Sequence, residues 1–122
     1  MAWEINGTDR FADWYGDLTE PQQDSVIAVV ELLAEQGPQL DRPHADRIKG
    51  SKYHNMKELR PRGAAKHCRV LFIFDPRREA ILLLGGNKSG QWEKWYETAI
   101  PEAEKLYEIY LQELDDEVLD DQ

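Results

Sequence analysis

The sequence predicts an α+β domain in which an N-terminal pair of helices packs on a small antiparallel β-sheet and a C-terminal helix completes the fold. Three observations support this prediction. Apolar residues recur at helical spacing near both ends of the chain. Short runs rich in β-branched and aromatic residues, separated by turn sequences, occupy the middle. A chain of 122 residues with a hydrophobic fraction of 41% suffices for one domain with one core.

The N-terminal third is predicted to hold a short strand and two helices. Trp3–Ile5 is the strand candidate, and Thr8 is the expected N-cap of the first helix. The second helix begins after Thr19, because Pro21 is tolerated in a first turn, and its apolar stripe has i, i+3, i+4, i+7 spacing. Gly37 and the proline after it end that helix. The two helices are expected to lie antiparallel on one face of the core.

The middle of the chain is predicted to be β-structure. Ile48 marks a weak strand and Asn55–Arg60 a second, which turn chemistry follows at residues 61–63. His67–Asp75 has the strongest strand pattern, and Glu79–Gly85 follows after a short turn. Because short turns join these strands, they are expected to pair antiparallel.

The C-terminal region is predicted to be a helix followed by an acidic tail. Pro101 is expected to open the helix, since proline is tolerated in a first turn. Residues 115–122 are acidic enough to fray or stay disordered. The expected organisation is therefore a single domain over residues 1–114 with an acidic tail at 115–122.

Composition excludes several classes of protein. No apolar run is long enough to span a bilayer, and the N-terminus lacks the basic start and apolar stretch of a signal peptide. The single cysteine, Cys68, cannot form an internal disulfide, and no Cys/His pattern has metal-site spacing. We therefore expect a cytoplasmic protein with no membrane contact, no metal and no cofactor.

Charge is sorted into three blocks along the chain. Residues 1–41 carry a charge of −8, residues 42–90 carry +8 together with all three histidines, and residues 91–122 carry −9, which gives the net charge of −9. Lys and Arg contacts to phosphate supply most nucleic-acid affinity. Any site for a phosphate or nucleic acid is therefore expected in the middle block.

The pleat of two middle strands is predicted to gather charged side chains on one exposed face. Glu58 and Arg60 share a face of the first strand, and His67 and Arg69 share a face of the second. In the register that we expect, Glu58 lies opposite Arg69 and Arg60 lies opposite His67, although the turn does not fix that register. Slipping by one residue would separate the group.

Such a cluster suits the cleavage of RNA. The reaction removes the 2′-hydroxyl proton, neutralises a developing dianion on the phosphate and protonates the leaving 5′-oxygen. A carboxylate or an imidazole can act as the base. Arginine can bind the phosphate and stabilise its charge. Catalytic candidates are Glu58, Arg60, Arg69 and Lys88. Candidate RNA-binding residues are the other lysines of the middle block, Lys49, Lys52, Lys57 and Lys66, with His67.

Each of these residues also has a simpler interpretation. Glu58 and Arg69 are a common type of cross-strand ion pair, and His67 suits an exposed hairpin. The glycine-rich stretch Gly85–Gly90 lacks the spacing of a nucleotide-binding phosphate loop. Aromatic residues at helical spacing, such as those between Trp92 and Tyr96, are more often packing residues than a platform for bases.

Three runs of the sequence resemble a known family. They are Met56-Lys57-Glu58-Leu59-Arg60, then Cys68-Arg69-Val70-Leu71-Phe72, then Ile81–Lys88 with Trp92. In this order and spacing they resemble the RelE/HigB superfamily of bacterial type II toxins, most closely its phage-derived, HigB-like branch. The similarity covers nearly the whole chain.

The resemblance implies a function, a set of roles and partners. Such toxins are typically metal-independent mRNA endoribonucleases that leave 2′,3′-cyclic phosphate ends, commonly on the translating ribosome, and they arrest growth. It implies that Arg60 and Arg69 bind the scissile phosphate, that Lys88 is the basic residue at the end of the last strand, and that Glu58 is the acid of the Glu-Leu-Arg run. The implied partners are mRNA and a cognate antitoxin of the helix-turn-helix type.

The sequence departs from the family pattern at three points. Met56 stands where some members have a second basic residue, the C-terminal catalytic Tyr or His has no certain counterpart, and the net charge is acidic where most members are basic. Two alternatives therefore stay open beside the endoribonuclease. One is a toxin of the same fold that inhibits a DNA topoisomerase, as in the ParE branch; the other is a degenerate, non-catalytic module that only binds its antitoxin.

Overall fold

The computed structural model describes residues 2–87 and 92–120. In chain order, these residues form strand β1 (Glu4–Gly7), helices α1 (Asp9–Gly16) and α2 (Glu20–Gln36), strands β2 (Ala45–Arg47), β3 (Met56–Leu59), β4 (Cys68–Asp75) and β5 (Glu79–Asn87), and helix α3 (Trp92–Asp120). Short 3₁₀ turns occupy Gly37–Gln39 and Gly63–Ala65. Among the described residues, no helix has both the length and the apolar composition needed to cross a membrane.

Both N-terminal helices begin at the predicted caps. The Thr8 side chain accepts a hydrogen bond from the backbone N–H of Phe11 at 3.1 Å, and its hydroxyl donates to the carbonyl of Leu83 at 2.6 Å, which ties α1 to the sheet. Thr19 and Gln22 form a reciprocal capping box at the start of α2. Gly37, with a φ of 56°, ends α2 as the sequence predicted.

The sheet has the strand order β1-β5-β4-β3-β2 within the described residues. The pairs β2–β3, β3–β4 and β4–β5 are antiparallel, but β1 lies parallel to β5. The predicted antiparallel pairing of the consecutive middle strands is confirmed, and the parallel pairing of β1, which the sequence did not predict, makes the sheet mixed. Short turns determine the pairing of consecutive strands only, and β1 reaches β5 across most of the chain length.

The two faces of the sheet are covered by different helices. On one face, α1 and α2 pack against a core that includes Leu33, Leu59 and Phe72. On the other face, α3 packs against a core that includes Leu71 and Ile81. The α+β class and the layer of two N-terminal helices are confirmed, and the sheet lies between two helical layers.

Helix α3 is longer than the sequence predicted. It begins at Trp92, and Pro101 lies inside it rather than at its start. Ala99 and Ile100 before the proline and Ala103 after it are all buried in one core cluster, so packing on the sheet keeps the helix continuous. The helix also continues past Leu114 to Asp120, across the predicted end of the domain; whether the chain beyond is disordered stays a prediction.

The register of β3 and β4 differs from the prediction by two residues. Glu58 pairs with Leu71 and Leu59 pairs with Val70, so Glu58 is not directly opposite Arg69. A shift of two residues keeps every side chain on its face, because the pleat repeats every two residues. Glu58 and Arg69 therefore still share a face, and that face is covered by α3.

Candidate active site

The site is organised around the carboxylate of Glu58, which is 2% exposed and shares its face of β3 with Met56 of the α3 core. Its Oε2 atom accepts a hydrogen bond from Nε of Arg60 at 2.8 Å, and its Oε1 atom accepts one from the hydroxyl of Tyr96. Nε of Arg69 lies 3.7 Å from Oε2. A buried carboxylate is tolerated when it is paired and hydrogen-bonded, and these three side chains supply both conditions.

Arg60, which directly follows β3, is held by two carboxylates. Its Nε atom donates to Glu58, and its Nη2 atom lies 3.2 Å from Oδ2 of Asp46 on the neighbouring strand β2. The side chain is still 33% exposed. Burial alone would lower the pKa of Arg60, but the hydrogen bond to Glu58 and the charges of Glu58 and Asp46 raise it. The guanidinium therefore stays charged and keeps a fixed orientation.

Asp46 supplies a permanent negative charge beside Arg60. Burial alone would raise the pKa of its carboxyl group, but the backbone N–H of Arg47, which donates to Oδ1 at 2.8 Å, and the nearby charges of Arg42 and Arg60 lower the pKa overall. Nε of Arg42 also donates to Oδ2, at 3.1 Å. Asp46 is therefore ionised at neutral pH, and two guanidinium groups share one of its oxygens.

Tyr96 reaches Glu58 from α3, and a glycine in β5 fixes that part of the helix. A Cβ atom at Gly86 would lie 2.3 Å from Nε1 of Trp95, so only glycine lets this indole pack against the strand. The packing of Trp95 places its neighbour Tyr96 over the sheet. Burial raises the pKa of the Tyr96 phenol above its usual range, and the hydrogen bond to the Glu58 carboxylate raises it further. The phenol is therefore protonated at neutral pH.

Arg69 is the most enclosed of the predicted arginines. It is 8% exposed, and its Nη1 atom donates to the carbonyls of Lys66 at 3.1 Å and Cys68 at 2.7 Å. The prediction that Glu58 and Arg69 lie on an open face was wrong, because α3 starts earlier than expected and covers that face. Arg60 and Arg69 nevertheless both direct Nε atoms at the same carboxylate.

A groove of about 740 Å³ opens beside this cluster, between α3 and the chain that follows β2. We call it the main groove. Glu58 of β3 and Arg60 just after it lie in its lining, and Arg47 and Lys49 line it from the chain at and after β2. Asp46 of β2 also lines it, and one face of α3 contributes Glu93, Tyr96 and Glu97.

The loop that carries Lys49 is attached to α3 at its far end. The hydroxyl of Ser51 and the backbone N–H of Lys52 both donate to Oε2 of Glu104, at 2.9 Å and 2.7 Å. The next turn of the helix adds Glu108, which accepts a hydrogen bond from the hydroxyl of Tyr53 at 2.8 Å. These contacts hold the loop against the helix and so fix the width of the main groove.

A second depression, of about 280 Å³, lies on the other side of Arg60. We call it the basic cleft, because every charged residue that lines it among the described residues is a base: Arg60, Arg62, Lys66 and Arg69. Arg60 thus lines both the main groove and the basic cleft. An anion bound at Arg60 would be reached from either side.

The remaining predicted residues are dispersed. Lys52 pairs with Glu108 at 2.6 Å, and Lys57 lies over the ring of Phe74, 5.5 Å from its centroid, outside the main groove. His67 is exposed in the turn that precedes β4. Lys88 lies outside the described residues. The structure therefore brings Glu58, Arg60 and Arg69 together, and adds Lys49 in the main groove and Lys66 in the basic cleft.

Two members of the cluster were not among the predicted site residues. The sequence did not indicate Asp46 as a site residue, because its strand is only three residues long and the partner of that strand could not be predicted. Tyr96 lies 38 positions from Glu58 along the chain, and its helical spacing suggested packing. Among the described residues, no group of His, Cys, Asp and Glu side chains is arranged to hold a metal ion.

The fold matches that of solved RelE toxins. A double mutant of Escherichia coli RelE in the free state superposes with a TM-score of 0.59 at 12% identity, covering 81% of this chain and 96% of that chain. A chain of the toxin–antitoxin complex RelBE2 from Mycobacterium tuberculosis superposes with a TM-score of 0.56 at 12% identity, covering 71% of this chain and 99% of that chain. At this identity the match establishes the fold alone: a RelE-like α+β domain.

Sequence comparison then gives the family. The pattern of the phage-derived Gp49-like proteins matches residues 13–108, so the chain belongs to that family. The candidate toxin HigB3 of Mycobacterium tuberculosis is 47% identical over 98 residues, which cover 80% of this chain and 84% of that protein. The candidate toxin HigB2 of the same organism is 39% identical over 117 residues, covering 95% of this chain but 58% of HigB2. The predicted membership of the RelE/HigB-like superfamily is confirmed.

Proposed function

We propose that the protein is the toxin of a bacterial type II toxin–antitoxin system and that it cleaves mRNA internally without a metal ion, leaving 2′,3′-cyclic phosphate ends. The single observation that carries the proposal is the position of Arg60. It is charged, partly exposed, held by two carboxylates, and placed where the main groove meets the basic cleft. The names of the HigB relatives support the toxin assignment.

In this proposal Arg60 binds the scissile phosphate. A guanidinium offers a phosphate two parallel hydrogen bonds, and it keeps its charge when water is displaced. Two carboxylates hold Arg60 before substrate arrives, so little reorganisation is needed as charge develops on the phosphate. The bases of the basic cleft would then bind the next phosphate along the strand.

Glu58 acts in this proposal as a positioning residue. Both of its carboxylate oxygens already accept hydrogen bonds, from Arg60 and Tyr96, and Arg69 adds a third positive contact. Its role is to hold the guanidinium of Arg60 and the hydroxyl of Tyr96 in place beside the main groove until substrate binds.

Tyr96 is the proton donor of the proposed site. Its raised pKa keeps the phenol protonated at neutral pH, and it lines the same groove as Arg60. When substrate binds, the hydroxyl turns from Glu58 to the leaving 5′-oxygen and protonates it as the phosphodiester bond breaks, and the proton of the attacking 2′-hydroxyl passes to water. The structure offers no histidine for this role among the described lining residues of the main groove.

We further propose a cognate antitoxin as partner, of the helix-turn-helix type, and cytoplasmic action on mRNA at the ribosome. Solved relatives include RelE chains in complex with RelB, from Pyrococcus horikoshii and, as RelBE2, from Mycobacterium tuberculosis. An antitoxin that covered the main groove would block substrate directly.

A non-catalytic module that binds an antitoxin is the second candidate. The observation in its favour is the state of Glu58, whose two oxygens are both engaged and leave no free carboxylate beside Arg60 to act as base. This candidate predicts a folded chain that causes neither growth arrest nor RNA cleavage.

Induced expression in a bacterial host, with mapping of transcript 5′ ends, tests the proposal. Wild-type protein should arrest growth and create new 5′ ends inside messages, and Arg60→Ala should reduce both by about a hundredfold or more, as for loss of one preorganised transition-state contact. Arg10→Ala is the matched control, since Arg10 lies on α1 and pairs with Glu102 at the surface. Growth arrest without new 5′ ends would oppose the nuclease, and no arrest at all would support the non-catalytic module.

A further inference from the structure

The charges of the main groove are separated into two sides. Arg47 and Lys49 line the side at and after β2, Arg60 lines the groove from the end of β3, and Glu93 and Glu97 line the side formed by α3. Asp46 and Glu58, which hold Arg60, also line the groove, so four acids accompany three bases among the described lining residues. A groove built only for phosphates would carry an excess of bases, as the basic cleft does.

The α3 side of the main groove is rich in hydrogen-bond acceptors. Glu93 and Glu97 are four residues apart, so they lie on one face of the helix. Neither carboxylate has an ion-pair partner among the described residues. Pro101, one turn further along the same face, has no N–H, so the backbone carbonyl of Glu97 lacks its helical donor. Carboxylates and carbonyls accept hydrogen bonds only, so this side calls for a ligand that donates.

A nucleotide is a ligand that matches both sides at once. Its phosphate is the anion for Arg60 and Lys49, and its base presents hydrogen-bond donors some distance away. Ile48, Ile100 and Pro101 add apolar surface to the lining, against which the flat face of a base can pack. The four bases differ in donors: guanine offers N1–H and an amino group side by side, adenine and cytosine offer an amino group, and uracil has no amino group.

We propose that the main groove is a nucleobase subsite beside the phosphate site of Arg60, in which Glu93, Glu97 and the Glu97 carbonyl accept hydrogen bonds from the base. The groove then selects bases that carry an exocyclic amino group, guanine first because one carboxylate can accept both of its neighbouring donors, and it disfavours uracil. This inference rests on the proposed function, since it takes Arg60 as the phosphate ligand.

Binding of short, uncleavable RNAs to the purified full-length chain tests the inference. The probes are four 2′-O-methyl homotrinucleotides, which lack the attacking hydroxyl, and their dissociation constants are read by fluorescence anisotropy at one fixed salt concentration. The guanine probe should bind about tenfold more tightly than the uracil probe, the discrimination typical of one good bidentate contact. Adenine and cytosine probes should lie between them.

Two variants test whether the carboxylates of α3 cause the preference for guanine over uracil. Glu97→Gln and Glu93→Gln replace an acceptor by an amide that also donates, so the ratio of guanine to uracil affinity should fall in each variant and most in the double variant. Glu113→Gln is the matched control, because Glu113 is exposed on the same helix and does not line the main groove. Equal affinity for all four probes, or an unchanged ratio in the double variant, would overturn the inference.

The same sequences with native 2′-hydroxyl groups separate this inference from the proposed function. A base preference in binding with no cleavage by wild-type protein supports the subsite and opposes the endoribonuclease. Cleavage at all four bases with no preference in binding supports the endoribonuclease and opposes the subsite.

Discussion

Asp46 and Glu58 face each other on neighbouring strands and hold the same arginine, Arg60, by two of its nitrogen atoms. Asp46 pairs with Glu58 in the β2–β3 register, and its Oδ2 atom lies 3.2 Å from Nη2 of Arg60 while Oε2 of Glu58 accepts from Nε at 2.8 Å. Two anions on one cation fix the plane of the guanidinium as well as its position. If Arg60 is the phosphate ligand, Asp46 is a positioning residue for catalysis.

Asp46→Asn should therefore reduce RNA cleavage by about tenfold, because the amide keeps the shape of the side chain and removes the charge that fixes Arg60. The measurement is the single-turnover rate constant at saturating RNA, and Asp46→Glu should restore part of it. Arg42→Ala is the control, since Arg42 binds the same oxygen of Asp46 without lining the main groove. An Asp46→Asn rate equal to that of the wild type would show that Glu58 alone positions Arg60.

Tyr96→Phe tests the proposed acid. The ring and its packing stay, but the hydroxyl that donates to Glu58 is lost. Removal of a general acid typically lowers the rate by about a hundredfold or more. The loss of one donor to a buried carboxylate should also cost about 1–3 kcal/mol of stability. The cleavage rate and the free energy of unfolding in urea are measured on the same preparation; loss of stability with full activity would leave Tyr96 a structural residue.

The pH profile offers a second test of Tyr96. Because burial and the Glu58 hydrogen bond raise the pKa of the phenol, it keeps its proton at least as far as its ordinary titration range near pH 10. Cleavage that depends on this proton should show no alkaline loss between pH 7 and pH 9. A rate that falls in that interval in wild-type protein, and not in Tyr96→Phe, would contradict the account.

Gly86→Ala tests how the start of α3 places the site. An added Cβ would lie 2.3 Å from the Trp95 indole, so the helix must shift, and overpacking of this kind typically costs about 1–3 kcal/mol. Because Tyr96 is the next residue, activity should fall at temperatures where the variant is still folded. Gly16→Ala is the matched control: it lies at the end of α1 and a Cβ there meets nothing within 4 Å. Equal activity of both variants would mean that Trp95 does not position Tyr96.

Acid stability should depend on a second ion pair, away from the site. Asp75 is buried at the β4–β5 turn, and a bidentate contact from Arg77 is the largest cause of its lowered pKa. A carboxyl with a folded-state pKa below its unfolded value of 3.8 stabilises the fold fully above pH 4, and that stabilisation is lost as the pH falls through the folded-state pKa.

Arg77→Ala should therefore lower the free energy of unfolding at pH 7 by about 1–2 kcal/mol and flatten its decline between pH 4 and pH 2. Urea unfolding across that pH range is the measurement. RNA cleavage should be unchanged, because Arg77 lines neither the main groove nor the basic cleft. The same steep acid decline in wild type and Arg77→Ala would show that other carboxylates dominate.

Local sequence signals predicted the parts of the fold that depend on local chemistry. Thr8 and Thr19 cap their helices in the structure because a capping side chain needs only its own first turn. The local preference of proline for a first turn wrongly placed Pro101 at the start of the last helix. The buried residues on both sides of Pro101 override that preference and keep the helix continuous. The parallel pairing of β1 with β5 depends on the packing of the whole sheet and has no local signal.

The candidate site likewise contains residues that local sequence patterns predicted and residues that they did not. Glu58 and Arg60 were predicted together because residues two apart on a strand share a face, and they form an ion pair. The register of β3 and β4 was not predictable from a turn that contains a 3₁₀ segment, so the direct pairing of Glu58 with Arg69 was wrong. Tyr96 and Asp46 enter the site only through the placement of α3 and β2, which single-sequence patterns do not define.

The most direct test of the central claim, that Arg60 binds the phosphate in metal-independent cleavage, is an assay of purified protein on a defined RNA in excess EDTA. Wild-type protein should cleave and leave a 2′,3′-cyclic phosphate, detected by mass spectrometry, and Arg60→Ala should cleave about a hundredfold more slowly while unfolding at a similar urea concentration. Cleavage by Arg60→Ala at the wild-type rate, or cleavage by wild type that EDTA abolishes, would contradict the account.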